Sequence, residues 1–342
     1  MVKRFRRSAA GYDEQLPSDI RTPATLQHTL EYLLEEVIGG PEKLAAVHKF
    51  VWDRTRSIRN DFSIQQVTKD EDVQAAVHCF ERIARFHILS LHQLSNADNL
   101  AGEHFDAHQE REQLQNTLLS LIYYYDDHRG RLKFSNEPEF RAYCVILELQ
   151  AQQPDLEDRM QFWPQELLGQ PQVRTAFRLY SAGGNTLFDQ GPLKPPVAFD
   201  VAQENAIGFW DLLRSKSVSY LMSCVAEIYF GQVRHIMLQA LWKSVKRAPA
   251  TMQARIQDWT LTELTKFLGF DNADQTLQFC LTYGLTFKST NENEQYLDFT
   301  SLTSATIDSE SGSKGLPLLR LRNLILDRIF HNYYANFLFW NR

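Results

Sequence analysis

From Asp70 to Leu94 the chain runs 25 residues without a Gly or Pro, and its apolar side chains recur every three or four positions. Val73, Val77, Phe80, Ala84, His87 and Leu91 therefore share one face of a predicted helix long enough to organise a helical core. Neighbouring segments repeat the pattern. Thr22-Pro23 is a helix start, with a capping hydroxyl followed by a proline suited to the first turn. Leu26, Leu30, Leu33 and Val37 then form a stripe that Gly39-Gly40-Pro41 ends. Leu44, Val47, Val51 and Ile58 continue it, and further helices are predicted over about 104–126 and 137–151. Only 15 Gly and 12 Pro among 342 residues leave too few turn formers for an all-β chain. The fold class is mainly α, read as stacked antiparallel helix pairs. No strict 34-residue consensus recurs, so the array is a degenerate helical-repeat solenoid.

The pattern changes further along. Pro154, Pro164 and Pro171 interrupt it, and Ser181 to Asn185 with Gly191 to Pro196 reads as one long loop. Helices resume near Val201 and continue to about Arg247, with breaks expected near Ser215 and Gly231. Thr260 and Glu263 have capping-box spacing before a short helix that stops at Gly269. A second helix spans Asn272 to Tyr283, and Leu285–Lys288 and Gln295–Phe299 alternate like the strands of a small β-hairpin. Helix, turn, helix, hairpin is the order of a winged helix. The expected organisation is a basic arm over 1–21, a helical-repeat domain over 22–231, a winged-helix domain over 232–300, a flexible linker over 301–316 and a final helix over 317–342. The abrupt end at Arg342 suggests a region of a longer protein.

Enzyme chemistry finds little to stand on. Cys79, Cys144, Cys224 and Cys280 are far apart in apolar runs, which reads as buried thiols in a reducing compartment rather than a zinc site. His104 and His108, with Glu103, Asp106 and Glu110, have a spacing that could hold a metal, but a solvated helix face explains them better. Ala182-Gly183-Gly184-Asn185 lacks the Lys-Ser/Thr of a phosphate loop, and Asp126-Asp127-His128 reads as a helix end. We expect no enzyme activity, no metal, no cofactor and no membrane span.

Charge is more informative. The net charge of −6 is not that of a generic nucleic-acid binder, so any such contact needs a local patch. Between Arg234 and Lys266, six Lys/Arg face two acids. On a winged helix that excess suits phosphates. Lys243, Lys246, Arg247, Lys266 and Lys288 are the candidate nucleic-acid residues, with solvated or partner-facing charges as the alternative. The predicted second helix has no Lys or Arg, so contact should be to the backbone rather than to bases. The arm carries Lys3, Arg4, Arg6 and Arg7, with Phe5 and Tyr12 as apolar anchors for packing back on the body, and phosphate contact by those four cations is the alternative. Tyr296 and Phe299, with the aromatics of the last helix, are candidate partner contacts.

Taken together, three stretches resemble the SAC/GANP family. They are Val2 to Gly11 followed by Leu16 to Pro23, the run Phe50 to Asp61, and Leu264 to Asp271 followed by Phe279 to Leu285. The middle one matches the family signature through Trp52, Arg54, Arg56, Ile58, Arg59 and Asp61, residues with either a structural or a partner role. The resemblance implies a PCI-like helical-repeat fold capped by a winged helix. It implies a scaffold of the transcription-and-export complex in the nucleus, at the nucleoplasmic side of the nuclear pore. Implied partners are a second PCI-domain subunit, a small acidic protein shared with the proteasome lid, RNA or DNA, and the export DEAD-box ATPase. The expected function is non-catalytic scaffolding in mRNA export. The alternative is a purely structural subunit of a splicing- or proteasome-lid-like PCI complex without nucleic-acid contact.

Overall fold

The computed structural model describes residues 2–6, 16–40, 44–95, 105–149, 154–187, 207–246, 249–253, 256–289 and 294–299. They are mainly helical and group into two compact units, one up to Cys144 and one from Val145. The linker expected over 301–316 and the helix over 317–342, with Tyr12 and Arg7 of the arm, lie outside the described residues.

The first unit is built from α1 (Pro23–Tyr32), a π-helical turn (Leu33–Ile38), α2 (Leu44–Gln65), α3 (Asp70–Leu94), α4 (Ala107–Asp127) and the first part of α5 (Glu137–Leu147). Thr22 caps α1 as expected, its side chain accepting from the Thr25 amide at 3.4 Å. The fourth helix begins later than its periodicity suggested. Asp106 accepts from the amides of His108 and Gln109 and fixes the start one residue on. The fifth ends at Leu147, four residues short of the expected 151. Helix α3 is the hub, packing on α4, α1 and α2. Its buried face includes Val73, Val77, Phe80, Ala84, His87 and Leu91, the stripe expected from spacing. Buried polar groups tie the later helices to it. Tyr125 Oη donates to Glu81 at 2.7 Å, and Arg85 makes a two-pronged bond to Glu139 at 3.0 and 2.8 Å.

The second unit comprises α6 (Pro154–Gln161), α7 (Gln165–Leu168), α8 (Pro171–Leu187), α9 (207–214), α10 (Tyr220–Glu227), α11 (Phe230–Lys246), α12 (Ala250–Gln253), α13 (Leu261–Leu268) and α14 (Ala273–Thr282). Ser181 to Asn185, expected in a loop, is instead the end of α8. Gly183 is there for close approach: a Cβ would lie 2.7 Å from Leu149 Cδ2. That packing outweighs the roughly 1 kcal/mol helix penalty of glycine. The break expected near Gly231 falls at residues 228–229, and Gly231 sits inside α11 with open space around it. Phe209, Trp210 and Phe230 meet edge to face with centroids 5.0–6.1 Å apart and form the unit's aromatic centre.

Strands β1 (Phe287–Ser289) and β2 (Gln295–Leu297) form an antiparallel pair in which Lys288 faces Tyr296. The segment before α13 joins this pair through a Thr260–Tyr296 bridge and a bond from the Leu297 amide to the Trp259 carbonyl at 2.9 Å. Cys79, Cys224 and Cys280 are buried, Cys144 is half-buried, and all four are free. Burial pushes the thiols of Cys79 and Cys280 up to about 12, so they are unreactive. No helix among the described residues is long and apolar enough to cross a membrane.

Candidate functional site

The run that matches the family signature lies on α2, and helical periodicity sorts its residues into three faces. Val51, Thr55, Ile58 and Phe62 point into the core. Asp53, Ser57, Asp61 and Gln65, each four residues after the last, form a polar stripe along which the N-terminal arm lies. Asp61 is fully buried and accepts from Lys3 Nζ at 3.2 Å and from Arg21 Nε at 2.8 Å and its amide at 3.3 Å. Arg21 reaches Ser57 Oγ at 3.0 Å, and Gln65 donates to the Arg21 carbonyl at 2.9 Å. Further up, Asp53 accepts from the Phe5 amide at 3.3 Å. Trp52 and Arg56 flank the stripe. The Arg56 guanidinium sits 4.1 Å from the Phe5 ring and 5.5 Å from the Trp52 ring, so it is layered on both. Arg54 pairs with Asp53 at 2.8 Å and covers Phe50 at 4.2 Å. Within the arm, Val2, Lys3 and Phe5 turn partly inward while Arg4 and Arg6 are exposed.

Arg59 points the other way. It donates to Gln113 on α4 at 2.5 Å, and burial together with nearby Arg56 brings its guanidinium down to about 10. Beside it, Glu110 is buried and accepts from His87 Nδ1 at 2.7 Å and His48 Nε2 at 3.2 Å. Burial alone would raise the Glu110 carboxyl, but the two rings outweigh it and hold it low. His87 is itself held below the ordinary range by burial, and its Nε2 is buried without a hydrogen-bond partner. Sequence placed Glu110 beside His104 and His108. It is instead a core residue, His108 is exposed, Asp106 is engaged in capping, and His104 lies outside the described residues.

The helix-turn-helix in the second unit holds the other candidates. Thr260 caps α13, accepting from the Glu263 amide at 3.3 Å, and Gly269 closes the helix at φ +66°. That left-handed turn presses against Trp210, whose Cδ2 lies 3.0 Å from where a Cβ would stand. Arg234, counted in sequence with the basic patch, is 1% exposed. It donates to the carbonyls of Leu268 at 3.1 Å and Gly269 at 2.9 Å, over the Phe270 ring at 3.8 Å. A cation there satisfies carbonyls left open at a helix C-terminus and opposes the helix dipole. Burial lowers its guanidinium to about 9, so it remains charged at neutral pH.

Lys266 is exposed and pairs with Glu263 at 2.9 Å, and Lys288 pairs with Asp298 at 2.7 Å. The side chains of Lys243 and Lys246, and Arg247 entirely, lie outside the described residues. Helix α14 exposes Asp274, Gln278 and Leu281, with no cation. Tyr296 is half-buried. Phe299 is buried, at 1% exposure. The aromatics expected on the last helix, Phe330, Tyr333, Phe337 and Trp340, lie outside the described residues.

The sequence profile of the SAC3/GANP family matches residues 1–289, from the arm to the end of β1. The chain belongs to the SAC3/GANP family. SAC3 family protein 1 of Schizosaccharomyces pombe is 37% identical over 292 residues, covering 85% of this chain and 27% of the relative. Protein xmas of Drosophila melanogaster is 31% identical over 291 residues, covering 83% and 13%, and SAC3 family protein B of Arabidopsis thaliana is 30% identical over 264 residues, covering 75% and 14%. This chain therefore spans about a quarter or less of those proteins. Within the SAC3/GANP segment, Arg56 and Asp61 contact the arm, Trp52 backs the Arg56 guanidinium, Arg54 braces the arm's acceptor Asp53, and Arg59 ties α2 to α4. Sequence reading missed Asp53, Ser57 and Gln65 as holders of the arm, although their spacing of four from Asp61 was the available signal.

Proposed function

We propose that this SAC3/GANP segment is a non-catalytic scaffold of nuclear mRNA export, at the nucleoplasmic side of the nuclear pore. In this reading it is a PCI-like helical array ending in a winged helix, divided as the sequence pattern indicates. It pairs with a PCI-domain subunit and a small acidic protein of the proteasome-lid type, works with a DEAD-box ATPase, and meets RNA or DNA through the winged helix. Lys243, Lys246, Arg247, Lys266 and Lys288 are its phosphate contacts, and Tyr296 belongs to a partner surface. The observation that carries the reading is the α13–α14 pair, inside the segment matched by the family profile, followed by a hairpin whose second strand, just past that segment, bonds back to Trp259–Thr260.

Because α14 presents no cation, binding is backbone-directed and nearly indifferent to sequence. A filter-binding titration of the chain against salt tests this. Affinity should fall steeply with salt and equally for unrelated oligonucleotides. Replacing Lys243, Lys246 and Arg247 with Ala should lower the salt slope by roughly one per lost contact. One observation favours a second reading, a purely structural subunit of a PCI complex. Lys266 and Lys288 both already pair with carboxylates of their own unit. Binding that ignores salt and is unchanged in the triple variant would establish that reading instead.

A further inference from the structure

The arm performs two jobs with alternate residues. Lys3 and Phe5 are committed to α2, through Asp61 and through Asp53 and Arg56. Arg4 and Arg6 between and after them are exposed and have no carboxylate partner among the described residues. Seating the odd-numbered residues thus fixes where the two free guanidinium groups are displayed. Their Cα atoms lie at most about 7 Å apart, so both side chains can reach neighbouring charges on one polyanion. The surroundings are cationic as well. Residues 2–6 and α2 together carry seven Lys/Arg against two acids; Arg59 faces α4, which leaves six, and both acids, Asp53 and Asp61, are already engaged by cations. This excess stands in a chain whose net charge is −6, so it is a local feature. Aromatic rings are interleaved with it. Phe50 is 39% exposed with Arg54 over its face, and Trp52 is layered with Arg56. Guanidinium forks suit phosphates, and exposed rings among cations suit unpaired bases.

We propose that the arm seated on α2 is a second nucleic-acid surface, in which Arg4 and Arg6 clamp the phosphates of a single strand. This goes beyond the winged-helix reading and does not depend on it. A strand bound here pays no cost for ordering the arm, because Asp53, Arg56 and Asp61 have already ordered it.

The test uses the full chain and a 20-nucleotide oligouridylate, with affinity measured across salt concentrations and melting measured in parallel. Arg4→Ala with Arg6→Ala should leave the melting temperature unchanged. It should lower the salt slope by roughly 1.4, at about 0.7 per phosphate contact on a single strand. Arg4→Lys with Arg6→Lys should keep most of the slope. Arg56→Ala, which unseats Phe5, should weaken binding while preserving the slope, since both arginines remain but must be ordered on binding. The arm's increment should persist when Lys243, Lys246 and Arg247 are also Ala, so the two surfaces succeed or fail separately. An unchanged slope in the Arg4/Arg6 double Ala variant overturns the proposal. So does polyglutamate competing as well as oligouridylate at equal charge, which would make this a site for acidic protein.

Discussion

The α2 seam and the α11–α13 junction both bury charge, but they satisfy it differently. At the seam a fully buried carboxylate, Asp61, collects a lysine and an arginine from a segment up to 58 residues away. At the junction the buried group is the cation Arg234, received by backbone carbonyls at the end of α13 and by aromatic faces. The first arrangement ties a strap to a finished helix. The second fixes one helix end against another and belongs to the core itself. The comparison teaches that a basic residue's role follows from the acceptor the fold supplies. Arg234 and Lys266 look alike in a charge count, yet one is 1% exposed and the other has a 68% exposed side chain.

The junction should be the less forgiving of the two. Arg234→Ala removes a buried side chain and leaves two carbonyls unpartnered, and we expect a loss of about 4 kcal/mol by denaturant unfolding. Arg234→Lys should not rescue it, because one ammonium cannot reproduce the planar fork. A loss below about 1 kcal/mol would remove the distinction between the two regions. Asp61→Ala should cost about 3 kcal/mol, because it strands Arg21, whose side chain is 8% exposed, without its carboxylate. Proteolysis should then cleave ahead of α1 first, since the lost tie is to the arm.

Acid provides a third contrast. His87 is held below 6.5 and Glu110 below 4.5, so for both the unfolded chain takes up its proton at higher pH than the folded one. Their contributions to stability are full above those values and fall away with acid, His87 beginning near pH 6.5 and Glu110 lower. Protonating His87 also places an N–H at Nε2 where the fold offers no acceptor. Melting of the first unit should therefore drop between pH 7 and 5, and His87→Gln should flatten that drop. At the small end, Lys266→Ala should change stability by less than about 0.5 kcal/mol, because its pair with Glu263 is exposed on both sides.

Local chemistry was legible in the sequence where it is decided locally. Asp70 to Leu94, the Thr22 and Thr260 caps and the Gly269 stop all follow from spacing and from side chains within a few residues. Phe5 as an anchor was also legible, being an apolar residue in an otherwise basic arm. What was not legible depends on distant partners. Gly183 reads as a loop former until Leu149 is seen against it. Glu110 reads as a helix-face acid until His48, 62 positions away, and His87, 23 away, close on it. Arg234 reads as a patch cation because its acceptors are main-chain carbonyls 34 and 35 residues later, which no residue type announces.

The central claim is that the signature stretch of α2 is a seat for the N-terminal arm. A double-mutant cycle between Phe5→Ala and Arg56→Ala, read by equilibrium unfolding, tests it most directly. The guanidinium lies 4.1 Å from the ring, so a coupling energy of about 1 kcal/mol is expected. Additive effects, with coupling within about 0.3 kcal/mol of zero, would mean that the arm is not held there and would contradict the account.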